Sequence, residues 1–386
     1  MSLTHFHRNV FLTAAASTLA LCSAAYAASG DLYTMSNAAS GNVVALLKRT
    51  EDGALRVSGR FPTGGLGTGV GLVNPVDPLG SQNALTLNAN HSWLFAVNAG
   101  SNQVSAFRVE DDRLVLTDVV ASGGRFPVSI AEKNGLVYVL NAGNDGNVTG
   151  FRLTQEGKLR AVPGAARSLH GNVPNVGPFP DILRSAAQIQ FSPEGDWLVL
   201  TDKQFDTAGT IQRFAVDEDG ILSAAPLVTK SPDTVPFGFT FDYRGHLLVT
   251  EAVSGTVSSY RMDDRGGLGT LGRAAPNGQM AMCWIDAVRK FAYVSNTNSD
   301  TLTGYTVDRT GKLNFIGGKP VLVTLRPGHG PVDVKASSDG RFLNVVHGGT
   351  GTVETFRINA ADGQLVSRGE TQVFPPRSGM EGLASE

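Results

Sequence analysis

Seven strand-like runs in this chain end at equivalent places, and the residues found there differ in chemistry. Asn37, Asn98, Asn141 and Asn296 hold four of these places, and Asp202, Glu251 and His347 hold the other three. Asn bonds its own turn backbone readily, which suits it to the point where a strand stops. Asp caps a turn as well as Asn does, Glu poorly and His rarely, so Glu251 and His347 are the more informative departures. A carboxylate or an imidazole can take a proton from water as a general base, or ligate a metal. Arg326 and His329, in Arg326-Pro327-Gly328-His329-Gly330-Pro331, offer a cation or a donor to a carbonyl oxygen on which negative charge develops. Glu251, His347, Asp202, His329 and Arg326 are therefore the candidate catalytic residues, types that supply a placed base and a placed oxyanion partner. Arg125, His170, Gln188 and Asp333 stand at strand entries or in connections on the same side of the repeat, and are the candidate substrate-binding residues. Each of the nine also has a plain structural reading, as a turn cap, a loop residue or a core polar group. Glu, Asn and Asp at strand ends are types that can hold a divalent ion, but no His-x-His spacing supports one, and no cofactor is expected. His91 and His246 fall in turns on the opposite side and are expected to be solvent-exposed.

The elements that must position these groups are short strands. The run Trp93 to Asn98 is apolar up to its terminal Asn; a polar turn follows, and Val104 to Phe107 returns. Val and Phe suit a pleated surface, and the pattern reads as a β-hairpin. It recurs: an aliphatic residue and a large apolar one three later follow each strand end, as Val43/Leu46, Val104/Phe107, Val148/Phe151, Ile211/Phe214, Val257/Tyr260, Leu302/Tyr305 and Val353/Phe356. Acidic-Gly turns such as Asp219-Gly220 and Asp362-Gly363 come next, then a fourth strand, and a short apolar strand such as Gln188 to Phe191 precedes most copies. Four short strands per unit, repeating at roughly 40–60 residues, is a propeller signature. The fold class expected is all-β, a seven-bladed β-propeller with four antiparallel strands per blade. The units begin near residues 31, 82, 126, 186, 235, 280 and 331 of one domain spanning 28–386. The 46 glycines, the 17% charged content and the absence of a helical period agree with it. A net charge of −2 without a Lys/Arg cluster argues against nucleic acid and anionic membrane as partners, and a monomer is expected.

Residues 1–27 read as a secretory leader: His5, His7 and Arg8, then an apolar stretch from Val10 to Leu21, then Ala25-Tyr26-Ala27 as the cleavage site. The stretch is too short for a stable membrane span, and Leu21 before Cys22 fits lipoprotein processing badly. The expected location is periplasmic or secreted. Cys283 is then the single cysteine, with no internal disulfide to make and a buried thiol as its expected state. The chain enters its first blade at the second strand, so the missing inner strand should come from residues 379–384, sealing the ring with both termini in one blade. Two long insertions, Leu66 to Ser81 and Leu169 to Ser185, fall on the side where strand ends and blade connections share a face. Gly65-Leu66-Gly67-Thr68-Gly69 opens no helix in a βαβ unit and reads as a loop.

The repeated aromatic-Val-x-Asn strand end, the Ser192-Pro193-Glu194-Gly195 turn and the Asp-Gly turns resemble the lactonase-type seven-bladed propeller family. It includes bacterial 6-phosphogluconolactonases and fungal carboxymuconate-lactonizing enzymes, and is related to surface proteins with a Tyr-Val-Thr-Asn repeat. The resemblance spans Asp31 to the C-terminus and implies the propeller fold. Phosphogluconolactonase-like members carry His at the entry of a middle blade and an Arg-His pair at the next. Here those entries read Ala186-Ala187-Gln188 and Val235-Pro236-Phe237, while Asp202 and Glu251 are kept. The loss argues against a phosphorylated sugar lactone. The resemblance implies a lactonase-like hydrolase of a small unphosphorylated lactone, or a muconate cyclase-like enzyme running the reverse closure. A non-catalytic propeller that binds a small organic anion or a protein partner is the alternative.

Overall fold

The computed structural model describes residues 28–386, so the expected leader lies outside the described residues. Seven antiparallel blade sheets follow one another along the chain, four-stranded apart from two that carry one extra short strand, and a separate two-stranded hairpin, Asn175–Val176 with Phe179–Pro180, lies in the second insertion. Their innermost strands are Glu381–Ser385 (blade 1), Leu85–Leu87, Pro127–Lys133, Ala186–Phe191, Pro236–Phe241, Met282–Val288 and Pro331–Ala336 (blade 7). Blade 1 closes the ring. Ala28–Met35 lies between Val43–Thr50 and the C-terminal Glu381–Ser385, with Leu32 opposite Ser385 and Thr34 opposite Leu383. Arg49 is buried beside this joint and donates to Ser385 Oγ and the Glu386 carbonyl.

Burial falls from the axis to the rim. Second strands such as Leu136–Asn141 and Phe291–Asn296 are buried at every residue, whereas the outermost Leu365–Gln372 is mostly exposed. A strand covered on both faces reads as an unbroken apolar run, which is why Tyr138-Val139-Leu140 shows no alternation.

The repeated aromatic and the repeated acidic-Gly turn turn out to be one device. Tyr138 of blade 3 donates its hydroxyl to the Gly220 carbonyl in a turn of blade 4, and Tyr293 of blade 6 does the same to Gly363 of blade 7. Trp93 likewise lies against Gly157, where a Cβ would approach the indole to 2.5 Å. Gly157 and Gly220 have φ near +80°, where a side chain would also be strained. Each aromatic so keys one blade to the next. Among the described residues no helix is long and apolar enough to cross a membrane.

Candidate functional site

The strand-end positions are built into seams between blades. Asn98 donates to Ser105 Oγ, seven residues on in the third strand, at 2.7 Å, and accepts from Thr63 of the connection entering its blade at 2.6 Å. Asn296 repeats this with Thr303 at 3.0 Å and Asn277 at 2.9 Å. Glu251 takes the same two directions with a carboxyl, accepting from Ser258 at 3.0 Å and Ser231 at 2.6 Å. Burial pushes its pKa up to about 8, against the pull of the two serines. Asp202, also raised by burial, accepts from Gln204 at 3.0 Å. Among the described residues no hydrogen bond or ion pair joins Asp202, Glu251 and His347. Glu251 and His347 each bond the third strand of their own blade instead, at Ser258 and Glu354.

His347 is the exception in chemistry. It ends the strand Phe342–His347, is fully buried, and holds its Nε2 3.3 Å from Glu354, again seven residues on. His329, 5% exposed, comes from the connection into the same blade, and the two rings meet edge to face with centroids 4.7 Å apart. His329 Nδ1 donates to the Arg326 carbonyl at 2.8 Å, while its Nε2 faces the Glu370 carboxylate at 3.3 Å. Thr352 donates to the other Glu370 oxygen and Ser367 to Glu354. The loop is fixed by Asp300, whose carboxylate accepts from the backbone of Gly328 and Gly330, both at 2.7 Å. Burial lowers the pKa of His347, with Glu354 opposing, so the ring is neutral at pH 7. Burial raises that of Glu370, but bonds from Thr352 and His329 outweigh it and hold the group ionised. The arrangement gathers two imidazoles and two carboxylates on the face of blade 7 that meets the incoming connection, with Glu354 and Glu370 reaching solvent in part.

The other candidates disperse. Arg326 is exposed and contributes its carbonyl to His329. Arg125 donates to the Pro178 carbonyl at 2.7 Å and so ties down the second insertion, on which exposed His170 bonds Ser168. Gln188 is buried and brackets the backbone of Phe239, accepting from its N–H at 2.7 Å and donating to its carbonyl at 2.9 Å. Asp333, also buried, accepts from Gly382 of the closing strand at 2.6 Å. His246 is corrected: it is buried, with Nδ1 2.8 Å from the turn carboxylate of Asp242. Cys283 is a free, buried thiol, as its apolar surroundings in sequence suggested.

A second charged group went unforeseen. The end of the first insertion enters the ring: Gln82 bonds the backbone of Phe239 and Ile285, and Trp284 donates to the Ser81 carbonyl at 2.6 Å. Lys203 donates to the Gly80 carbonyl at 2.5 Å, and Glu381 accepts from Leu79 at 3.0 Å. Asp77, Asp333 and Glu381 thereby come into one buried electrostatic group with Lys203. Burial raises all three acids, Asp333 to about 7, and lowers Lys203 to about 8. Asp77, Lys203 and Glu381 come from three distant elements with no common pattern, so no sequence signal joins them. They brace the insertion that stops the axis. At the other end of the ring lies a cavity of about 340 Å³ lined in part by Thr86, His91, Lys133, Gln190 and Lys335.

Comparison with known proteins bears on most of the chain. The family model described as lactonase, 7-bladed beta-propeller, matches residues 68–378. No curated protein matches the sequence. Among solved structures, the periplasmic gluconolactonase of Pseudomonas aeruginosa is 19% identical with a TM-score of 0.69, over 92% of this chain and 98% of that one. A putative 6-phosphogluconolactonase of Bacteroides fragilis is 18% identical with a TM-score of 0.68, over 93% and 98%. At these identities the structures establish likeness of fold.

Proposed function

Because the chain belongs to the lactonase seven-bladed β-propeller family, we propose that it hydrolyses a small unphosphorylated lactone at the cluster of His329, His347 and Glu370. One observation carries this reading: His329 Nε2, on a loop fixed by Asp300, faces the Glu370 carboxylate of the outermost strand at 3.3 Å, close enough for the two to exchange a proton. A water seated against that pair loses a proton to it as its oxygen attacks the lactone carbonyl. The Arg326 guanidinium, exposed on the same loop as His329, is the assigned partner of the developing oxyanion. Collapse of the tetrahedral intermediate breaks the ring C–O bond, and the departing alkoxide takes the proton back, giving a hydroxy acid. Neutral His347 adds no positive charge beside the pair, and ionised Glu370 steadies a protonated His329.

The missing base residues at 186–188 and 235–237 support an unphosphorylated substrate, and the apolar leader supports export to the periplasm. A non-catalytic, anion-binding propeller is the second reading, favoured by the insertion that occupies the ring axis. Turnover of a panel of sugar and aromatic-derived lactones separates the two. Wild type is expected to hydrolyse at least one, with kcat lowered about 100-fold or more in His329→Ala. No turnover across the panel, or a fully active His329→Ala, removes the hydrolytic reading.

A further inference from the structure

We propose that His329, His347 and Glu370 form a binding site for one divalent transition-metal ion, zinc by preference. One donor atom from each lies within 4.8 Å of those from the other two. The hydrogen bonds around the rings decide which atoms are available. His329 gives its Nδ1–H to the Arg326 carbonyl, so its Nε2 carries a lone pair toward Glu370. With that single proton on the ring, Nε2 and the carboxylate need a proton or a metal ion between them, and a metal ion takes the place of the proton that His329 otherwise gives Glu370. His347 gives its Nε2–H to Glu354, which leaves Nδ1 as the lone-pair atom, and that nitrogen is fully buried with no partner. A buried acceptor left without a partner is costly, and coordination would recover that cost.

Both rings thus show the arrangement usual around a metal, one nitrogen held by a carbonyl or carboxylate and the other left for the ion. Glu370 is itself oriented by Thr352. Donors about 2.0–2.1 Å from a tetrahedral zinc lie about 3.3 Å from each other, and His329 Nε2 and Glu370 already have that 3.3 Å spacing. Two imidazoles and a carboxylate suit zinc and its neighbours better than calcium or magnesium, and three protein donors leave a fourth position for water. This deepens the hydrolytic reading of the same cluster and rests on it for the role of the ion: with Nε2 and the carboxylate on the ion, the ion in place of the free pair would hold and acidify the attacking water.

The test is zinc titration of the full chain after stripping with chelator, read by calorimetry and by metal content. Wild type and His91→Ala are expected to take up one zinc per chain, with Tm rising on zinc addition. His329→Ala and the near-isosteric Glu370→Gln should weaken affinity on the order of 100-fold, with circular dichroism confirming their fold. Absence of saturable uptake by wild type, or one-to-one uptake unchanged in both variants, overturns the proposal. The two readings fail separately. Zinc uptake without turnover of any lactone keeps the metal site and removes the hydrolase, whereas turnover by a stripped protein that takes up no zinc does the reverse.

Discussion

At Glu251 a residue of catalytic type has been put to use in packing. Its carboxyl replaces the amide that Asn98 and Asn296 present to the same two neighbours, and burial leaves it protonated at neutral pH. A folded-state pKa of about 8 against an ordinary 4.5 means that its stabilisation is complete below pH 4.5 and is lost as pH rises through 8. Glu251→Gln keeps an acceptor and removes the titration. Thermal melts should show it close to wild type at pH 5 and several degrees more stable at pH 9; equal differences at both pH values would contradict this. The sequence showed which strand ends departed from Asn, yet it could not show that the third strand seven residues on would absorb the side chain. His347 and His329 were both visible as candidates. Their pairing was not, because it depends on how the 326–330 loop folds back over the strand. His246 was misjudged for the related reason that Asp242, four residues earlier, draws the ring into the turn.

At the scale of elements, strands were legible and insertions were not. Short apolar runs, strand-end Asn and acidic-Gly turns mark the blades, and the closing strand, expected at 379–384, is found at Glu381–Ser385. The insertion from Leu66 has no period to read, so nothing in its Gly and Pro content shows that residues 77–82 enter the ring. Its path depends on partners in other blades, Glu381, Lys203 and Trp284. The closing strand supplies both the innermost strand of blade 1 and an acceptor for that insertion. Truncation after Arg377 should therefore expose a sheet edge, free Leu79 and Asp333, and lower Tm by roughly 10 °C or more. An unchanged melting curve would contradict the closure.

For the molecule as a whole, the buried acids dominate the response to pH. Asp333, at about 7 in the fold against an ordinary 3.8, and Glu251, at about 8, both bind protons more tightly folded than unfolded. Their stabilisation is lost as pH rises. Tm should fall between pH 6.5 and 8. Above 8 the decline should flatten, because Lys203, lowered to about 8, sheds its proton in the fold before it does in the unfolded chain. Melts across this range check the trend, and a Tm that climbs from pH 6.5 to 8 would contradict it. The central claim is that chemistry resides at the blade 7 cluster and not at the acids kept in the other seams. The most direct measurement is kcat/KM on a hydrolysed lactone for wild type, His329→Ala and Glu251→Gln under one set of conditions. The account predicts a loss of about 100-fold or more in His329→Ala and a Glu251→Gln value within a few-fold of wild type. The opposite ranking, with Glu251→Gln inactive and His329→Ala intact, would contradict it.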